Sequence, residues 1–192
     1  DQFRFFERAR LNHIGKITEE ELVARLSGES QALCIVNTRK RAQSLYQRLR
    51  GEGVYHLSTT MYPRHRRKIL EAIRRRLKDG EKCIVISTSL VEAGVDLDFR
   101  KVYRQLAGVD SMIQAAGRCN REGKRSADES LVQVFQFEEK DYIPGQRQQM
   151  DVTKMLLTEG WDLSSLECVE EYFKRLYHFR GEGLDQKHIL DE

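Results

Sequence analysis

The chain has 192 residues, 33 Lys plus Arg against 30 Asp plus Glu, 40% apolar residues and only 2 Pro, which excludes a disordered chain and describes one ordinary globular domain. A chain of this length buries well over half of its unfolded surface, so it needs neither disulfides nor a structural metal to fold. The net charge of +3 is too small to mark a nucleic-acid binder, and the placement of the basic residues decides that question.

Residues 1–30 form a lead-in segment whose short helix, Glu19 to Leu26, starts at a capping box of Thr18 and Glu21. Beyond it, apolar runs of strand length alternate with helical periods, the pattern of an α/β domain built on a mostly parallel sheet between two helical layers. The runs predict strands at Leu33 to Asn37, Val54 to Leu57, Cys83 to Ser87, Val102 to Leu106 and Leu131 to Phe137. A helix from about Lys40 to Arg50 carries Ala42, Leu45, Tyr46 and Leu49 on one face and stops at Gly51 and Gly53. A second opens at Pro63, buries Ile69, Leu70, Ile73 and Leu77, and stops at Gly80. Between Arg64 and Lys78 it holds eight Lys or Arg against one Glu, which is either a footprint for a phosphate backbone or a solvated outer face. After about Asp141 the strands give way to a helical extension over 141–192, with amphipathic helices near Gln146 to Thr158 and Ser165 to Tyr177, the latter capped by Ser164 with Glu167.

Two stretches carry candidate chemistry. In Gln114-Ala-Ala-Gly-Arg-Cys-Asn-Arg-Glu-Gly123, Arg118 and Arg121 lie three apart just past Gly117, at the expected end of a helix, where both can point to one side. Paired guanidinia suit a γ-phosphate, because each donates two parallel hydrogen bonds to phosphate oxygens. Gln114, one turn earlier, can reach the same phosphate or its attacking water. The plainer reading is a helix end whose cations complement the helix dipole. In the second stretch, Ile84 to Asp98, an apolar strand runs into Ser87 and Thr88 and then a Gly94-Val-Asp96 turn. Ligands of parallel sheets bind just past the strand C-termini. There Thr88 can donate to a nucleic-acid phosphate, and Asp96 can accept from the two hydroxyls of a ribose. The plainer reading is a helix N-cap and a turn former.

The stretches Cys34-Ile-Val-Asn-Thr-Arg39, His56-Leu-Ser-Thr-Thr60, Ser87 to Asp98 and Gln114 to Arg121 follow the order of the C-terminal motifs of superfamily 2 helicases. Over residues 31–140 the chain resembles a second RecA-like helicase domain. The wording VEAGVDLDF with QAAGRCNREG resembles most the CRISPR-associated helicase-nuclease of type I systems, and the tail VEEYFKRLYHFRGEGLD is similar to the segment that follows this domain there. The resemblance implies an ATP-dependent motor on single-stranded DNA. Arg121 would be an arginine finger, Arg118 a second γ-phosphate contact and Gln114 its assistant, with Asp96, Gly94 and Gly117 around the nucleotide. Thr38, Arg39, Ser58, Thr59 and Thr88 would contact the translocating strand; independently of the resemblance, the basic run offers Arg64 and Arg67 as contacts to its phosphates, with a solvated face as the alternative. Broader superfamily 2 proteins often have Thr-Gly between the arginines, where this chain has Cys119-Asn120.

No GxxxxGK[ST] phosphate loop and no DExH or DEAD carboxylate pair occurs in the sequence. The resemblance therefore implies ATP with Mg2+ whose metal ligands lie on a first RecA-like domain, a metal-dependent HD nuclease domain upstream, and the CRISPR RNA-guided surveillance complex as partner. We expect the 192-residue chain alone to be inactive. A helicase-like binding module without catalysis, or half of another superfamily 2 translocase, is the rival reading.

Cys34, Cys83, Cys119 and Cys168 form no CxxC pair and read as reduced thiols, and the histidines show no metal-ligand spacing. No apolar run approaches the ~20 residues that span a bilayer, and the N-terminus lacks a signal-peptide layout. The expectation is a cytoplasmic monomer with no membrane contact and no resident metal. The chain begins at Asp1 rather than Met, from which we expect a piece of something longer.

Overall fold

The computed structural model describes residues 9–58, 61–88, 96–121, 123, 125–126, 129–139 and 145–185. Each apolar run expected to be a strand is one: β2 (Gln31–Val36), β3 (Val54–Leu57), β4 (Cys83–Thr88), β5 (Lys101–Gln105) and β6 (Leu131–Phe137). A further strand, β1 (Arg10–Ile17), lies in the segment read only as a lead-in with a short helix, and pairs with β6. The six strands run parallel throughout, in the order β1-β6-β5-β2-β4-β3.

Strand alternation divides the core in two, as a sheet covered on both faces requires. Leu33, Ile35, Cys83 and Val85 face one side, where they meet Ile73 of α3 (Pro63–Asp79), Met112 of α4 (Val109–Ala116), Val152 and Leu156 of α5 (Arg147–Thr158) and Tyr172 of α6 (Leu166–Asp185). Ala32, Cys34, Val36, Ile84 and Ile86 face the other, against Leu22 and Leu26 of α1 (Glu19–Ser27) and Ala42 and Leu45 of α2 (Arg39–Leu49). Three layers result, helices over sheet over helices.

Local chemistry sets the helix ends. The Thr18 hydroxyl accepts from the Glu21 N–H at 3.1 Å, and Glu21 Oε2 accepts from the Thr18 N–H at 2.8 Å, which is the expected capping box. Pro63 opens α3, and Gly80 ends it with a left-handed φ of 72°. Gly53 is required for close approach: its φ is 77°, and a Cβ there would collide with the Lys82 carbonyl oxygen. The capping box expected at α6 does not form. Ser165 caps instead, its Oγ accepting from the Cys168 N–H at 3.1 Å, because the Ser164 N–H and hydroxyl are both spent on Asp162 Oδ1 at 2.8 and 2.7 Å.

Candidate functional site

The candidate residues fall at two opposite edges of the sheet, one past the C-terminal ends of the strands and the other at their N-terminal ends. Thr38 follows β2, Ser58 follows β3 and Thr88 ends β4, and the pairings Val36 with Thr88 and Leu57 with Ser87 set these strand ends side by side. Thr38 is the N-cap of α2, its hydroxyl oxygen accepting from the Arg41 N–H at 3.3 Å, which leaves the O–H free to donate. Arg39 is exposed beside it, and Arg64 and Arg67 are exposed at the start of α3. Ser87 is turned inward: its hydroxyl reaches the carbonyls of Leu57 at 3.2 Å and Thr88 at 3.0 Å, tying the tips of β3 and β4 together. Thr59 and Gly94 lie outside the described residues.

The arginines sit at the other edge. Helix α4 ends at Ala116 and Gly117 caps it, so Arg118 and Arg121 lie beyond the helix and helical periodicity does not align them. A bridge between Phe99 and Cys119 lays their loop along the residues that lead into β5, with the Phe99 N–H donating to the Arg118 carbonyl at 2.9 Å. Arg118 is buried at 7% exposure, whereas Arg121 is exposed, as is Gln114 on α4. Asp96, expected near the strand C-termini, is at this edge too, and its Oδ1 lies 3.0 Å from Arg121 Nε. An ion pair this exposed holds its partners weakly and exchanges readily.

Three residues that the sequence reading passed over build this loop. Asp98 Oδ1 accepts from the Arg121 N–H and from Arg125 Nη2, each at 2.8 Å. Asn120, fully buried with a φ of 54°, donates from Nδ2 to the Arg125 carbonyl at 2.6 Å and accepts the Arg125 N–H on Oδ1 at 2.9 Å. That positive φ explains why Asn stands where broader superfamily 2 proteins often have Gly, since both tolerate the left-handed region. At the opposite edge, buried Arg104 donates from Nη1 to Asn37 Oδ1 at 2.7 Å, and Asn37 donates from its backbone N–H to Gln105 Oε1 and from Nδ2 to the Leu106 carbonyl, both at 2.9 Å. This network fixes the residue before Thr38. An arginine inside the apolar run Val102 to Leu106 was the signal for it. Burial pushes the Cys34, Cys83 and Cys119 thiols up to about 12, so they stay protonated and chemically quiet.

The family described as CRISPR-associated nuclease/helicase Cas3, C-terminal, matches residues 28–124. The chain belongs to this family. It is 26% identical over 171 residues to a Cas3 of Methanothermobacter thermautotrophicus, covering 84% of this chain and 20% of that protein. The chain thus spans about a fifth of the length of this Cas3 relative. Among solved structures, T. fusca Cas3 with ADP superimposes with a TM-score of 0.70 at 18% identity, over 95% of this chain and 27% of that one. A chain in a structure of a CRISPR RNA-guided surveillance complex before nicking gives 0.67 at 18% identity, over 95% and 28%. At these identities the likeness is one of fold, and the fold is the RecA-like domain of the Cas3 helicases.

Proposed function

We propose that this chain is the C-terminal RecA-like half of an ATP-dependent single-stranded-DNA translocase, the motor with which a Cas3 helicase-nuclease unwinds and degrades target DNA in type I CRISPR interference. Residues 31–140 form the motor half and 141–192 lead toward a further C-terminal region. The observation that carries the reading is Arg121: an exposed guanidinium on a loop strapped to the sheet, beside Asp96 in an exposed ion pair.

The residues at this edge fit one side of a nucleotide. Arg121 and Arg118 would face the γ-phosphate with Gln114 beside them, Asp96 the ribose, and Gly117 the backbone around it, with Gly94 proposed as a further nucleotide contact. When bound, ATP with Mg2+ supplies the hydrolysis that drives the motion, its metal held by carboxylates of a first RecA-like half. Arg121 then exchanges the Asp96 carboxylate for phosphate oxygens and neutralises charge that develops as the phosphoryl group departs. An arginine in this role supplies ~3 to 5 orders of magnitude in rate. Asp96 is released by the same exchange. Thr38, Ser58 and Thr88 donate hydroxyls to the strand backbone at the opposite edge, with Arg39, Arg64 and Arg67 supplying charge and Thr59 proposed as a further strand contact, so closing and reopening the cleft shifts the strand. The surveillance complex that delivers the DNA is the proposed partner.

Replacing Arg121 by Ala in the helicase-nuclease that contains this chain is expected to lower DNA-stimulated ATP turnover ~10³-fold or more, to a residual rate that stays measurable, while ATP binding persists. Unchanged turnover contradicts the proposal. Arg118→Ala separates two roles for a buried arginine: a phosphate contact lowers kcat, whereas packing alone lowers the melting temperature and spares kcat in the folded fraction.

A further inference from the structure

We propose that Asp98 is the positioning residue of the arginine loop, fixing the backbone of Arg121 so that its guanidinium meets the phosphate at one place. The inference rests on the reading of Arg121 as an arginine finger.

Asp98 stands on a rigid mount. Its neighbours Leu97 and Phe99 are buried in the core, at 2% and 0% exposure, and Phe99 is bridged to Cys119. From that mount a single carboxylate oxygen holds the loop at two points, the Arg121 N–H and Arg125 Nη2, both at 2.8 Å. Arg125 Nη2 also donates to the Phe99 carbonyl at 3.0 Å, so its guanidinium spans the mount rather than hanging from it. Asn120 closes the ring by holding the backbone of Arg125 in both directions. The backbone of Arg121 is thus held directly by Asp98, and that of Arg125 by Asn120.

The two aspartates of Asp96-Leu-Asp98 have different tasks. Asp96 is exposed and touches the side chain of Arg121, a contact that must break for phosphate binding. Asp98 is half-buried and touches the peptide of Arg121, a contact compatible with the side chain pointing elsewhere. A charge-assisted bond to a backbone N–H is stronger than a neutral one, and a displacement of about 1 Å in a catalytic group costs ~10²-fold in rate. Loss of Asp98 should thus act on the transition state and leave ground-state nucleotide affinity in place.

The test is steady-state DNA-stimulated ATP hydrolysis by the intact helicase-nuclease carrying Asp98→Ala, Asp98→Asn, Arg121→Ala or Asp98→Ala with Arg121→Ala. Asp98→Ala is expected to lower kcat ~10²-fold with KM for ATP changed less than ~3-fold. Asp98→Asn keeps an acceptor for the amide but loses the charge that holds Arg125, and should fall between wild type and Asp98→Ala. On the Arg121→Ala background, Asp98→Ala should cause no further fall, since two residues acting as a unit are not additive. An equal fall on both backgrounds means that Asp98 acts outside the finger and overturns the inference. So does a kcat within ~2-fold of wild type in a folded variant; if Asp98→Ala does not fold, the isosteric Asp98→Asn decides. Turnover left unchanged by Arg121→Ala overturns this inference and the finger reading together, whereas turnover lowered by Arg121→Ala but kept in Asp98→Ala overturns this one alone.

Discussion

Asn120 occupies a left-handed backbone position with no water around it, and both polar ends of its side chain are committed to the Arg125 backbone. Glycine there accepts the φ but abandons those bonds, while alanine abandons the bonds and pays for the φ as well. Chemical denaturation should therefore show Asn120→Gly less stable than wild type by ~1–2 kcal/mol, and Asn120→Ala less stable than Asn120→Gly by a further ~1 kcal/mol. Alanine as stable as glycine would contradict this account of the turn. At this scale the sequence marks Arg121 and Asp96 through their residue types and motif context. It does not mark Asp98, because its partner Arg121 is 23 residues away in the chain and comes to it through tertiary contacts such as the Phe99–Cys119 bridge. The same holds for Asn37 and Arg104, 67 residues apart.

Helix α3 presents Arg64, Arg67, Lys68, Arg74, Arg75 and Lys78 to solvent, all on the face that the three- and four-residue spacing defines. Among the described residues none of these six makes an ion pair, whereas Arg76 turns away to Glu52 at 2.9 Å and Glu81 at 3.2 Å. A basic stripe interrupted only by Glu71 suits a phosphate backbone, and its first turn adjoins the strand edge that holds Ser58. Converting Arg64 and Arg67 together to Gln should weaken single-stranded DNA binding and flatten the plot of log affinity against log salt by about 1.4, at ~0.7 per lost phosphate contact. An unchanged slope, measured by fluorescence anisotropy, would return the stripe to the role of a solvated face. Elements of this kind are legible because α3 has a proline, a glycine and a strong apolar period. Strand β1 was not legible: Arg10, Asn12, His13 and Lys16 make an edge strand mostly polar, and the register shift between His13 and Gly15 breaks what alternation remains.

The parallel sheet joins the two candidate edges into one body, so that under the proposed mechanism a movement at Arg121 would be carried to the hydroxyls beyond β2, β3 and β4. The C-terminal helices belong to that body. Tyr172 of α6 is fully buried and donates its hydroxyl to Asp110 Oδ1 at 2.8 Å, in the first turn of the helix that leads to the arginine loop. Gly108, which starts that turn, has no room for a side chain, since a Cβ would lie 2.5 Å from the Tyr172 hydroxyl. The layered architecture could be read from apolar runs because a sheet covered on both faces writes its burial into consecutive residues. The bond that ties α6 to α4 could not, since it joins Tyr172 to an aspartate 62 residues away. The central claim is that this molecule supplies one wall of a nucleotide site whose other wall, with phosphate loop and metal ligands, lies on a first RecA-like half. ATP hydrolysis with and without single-stranded DNA, measured for the 192-residue chain beside the same chain joined to that first half, tests it most directly. The account predicts DNA-stimulated turnover in the joined protein only; turnover by the 192-residue chain alone, or by neither, would contradict it.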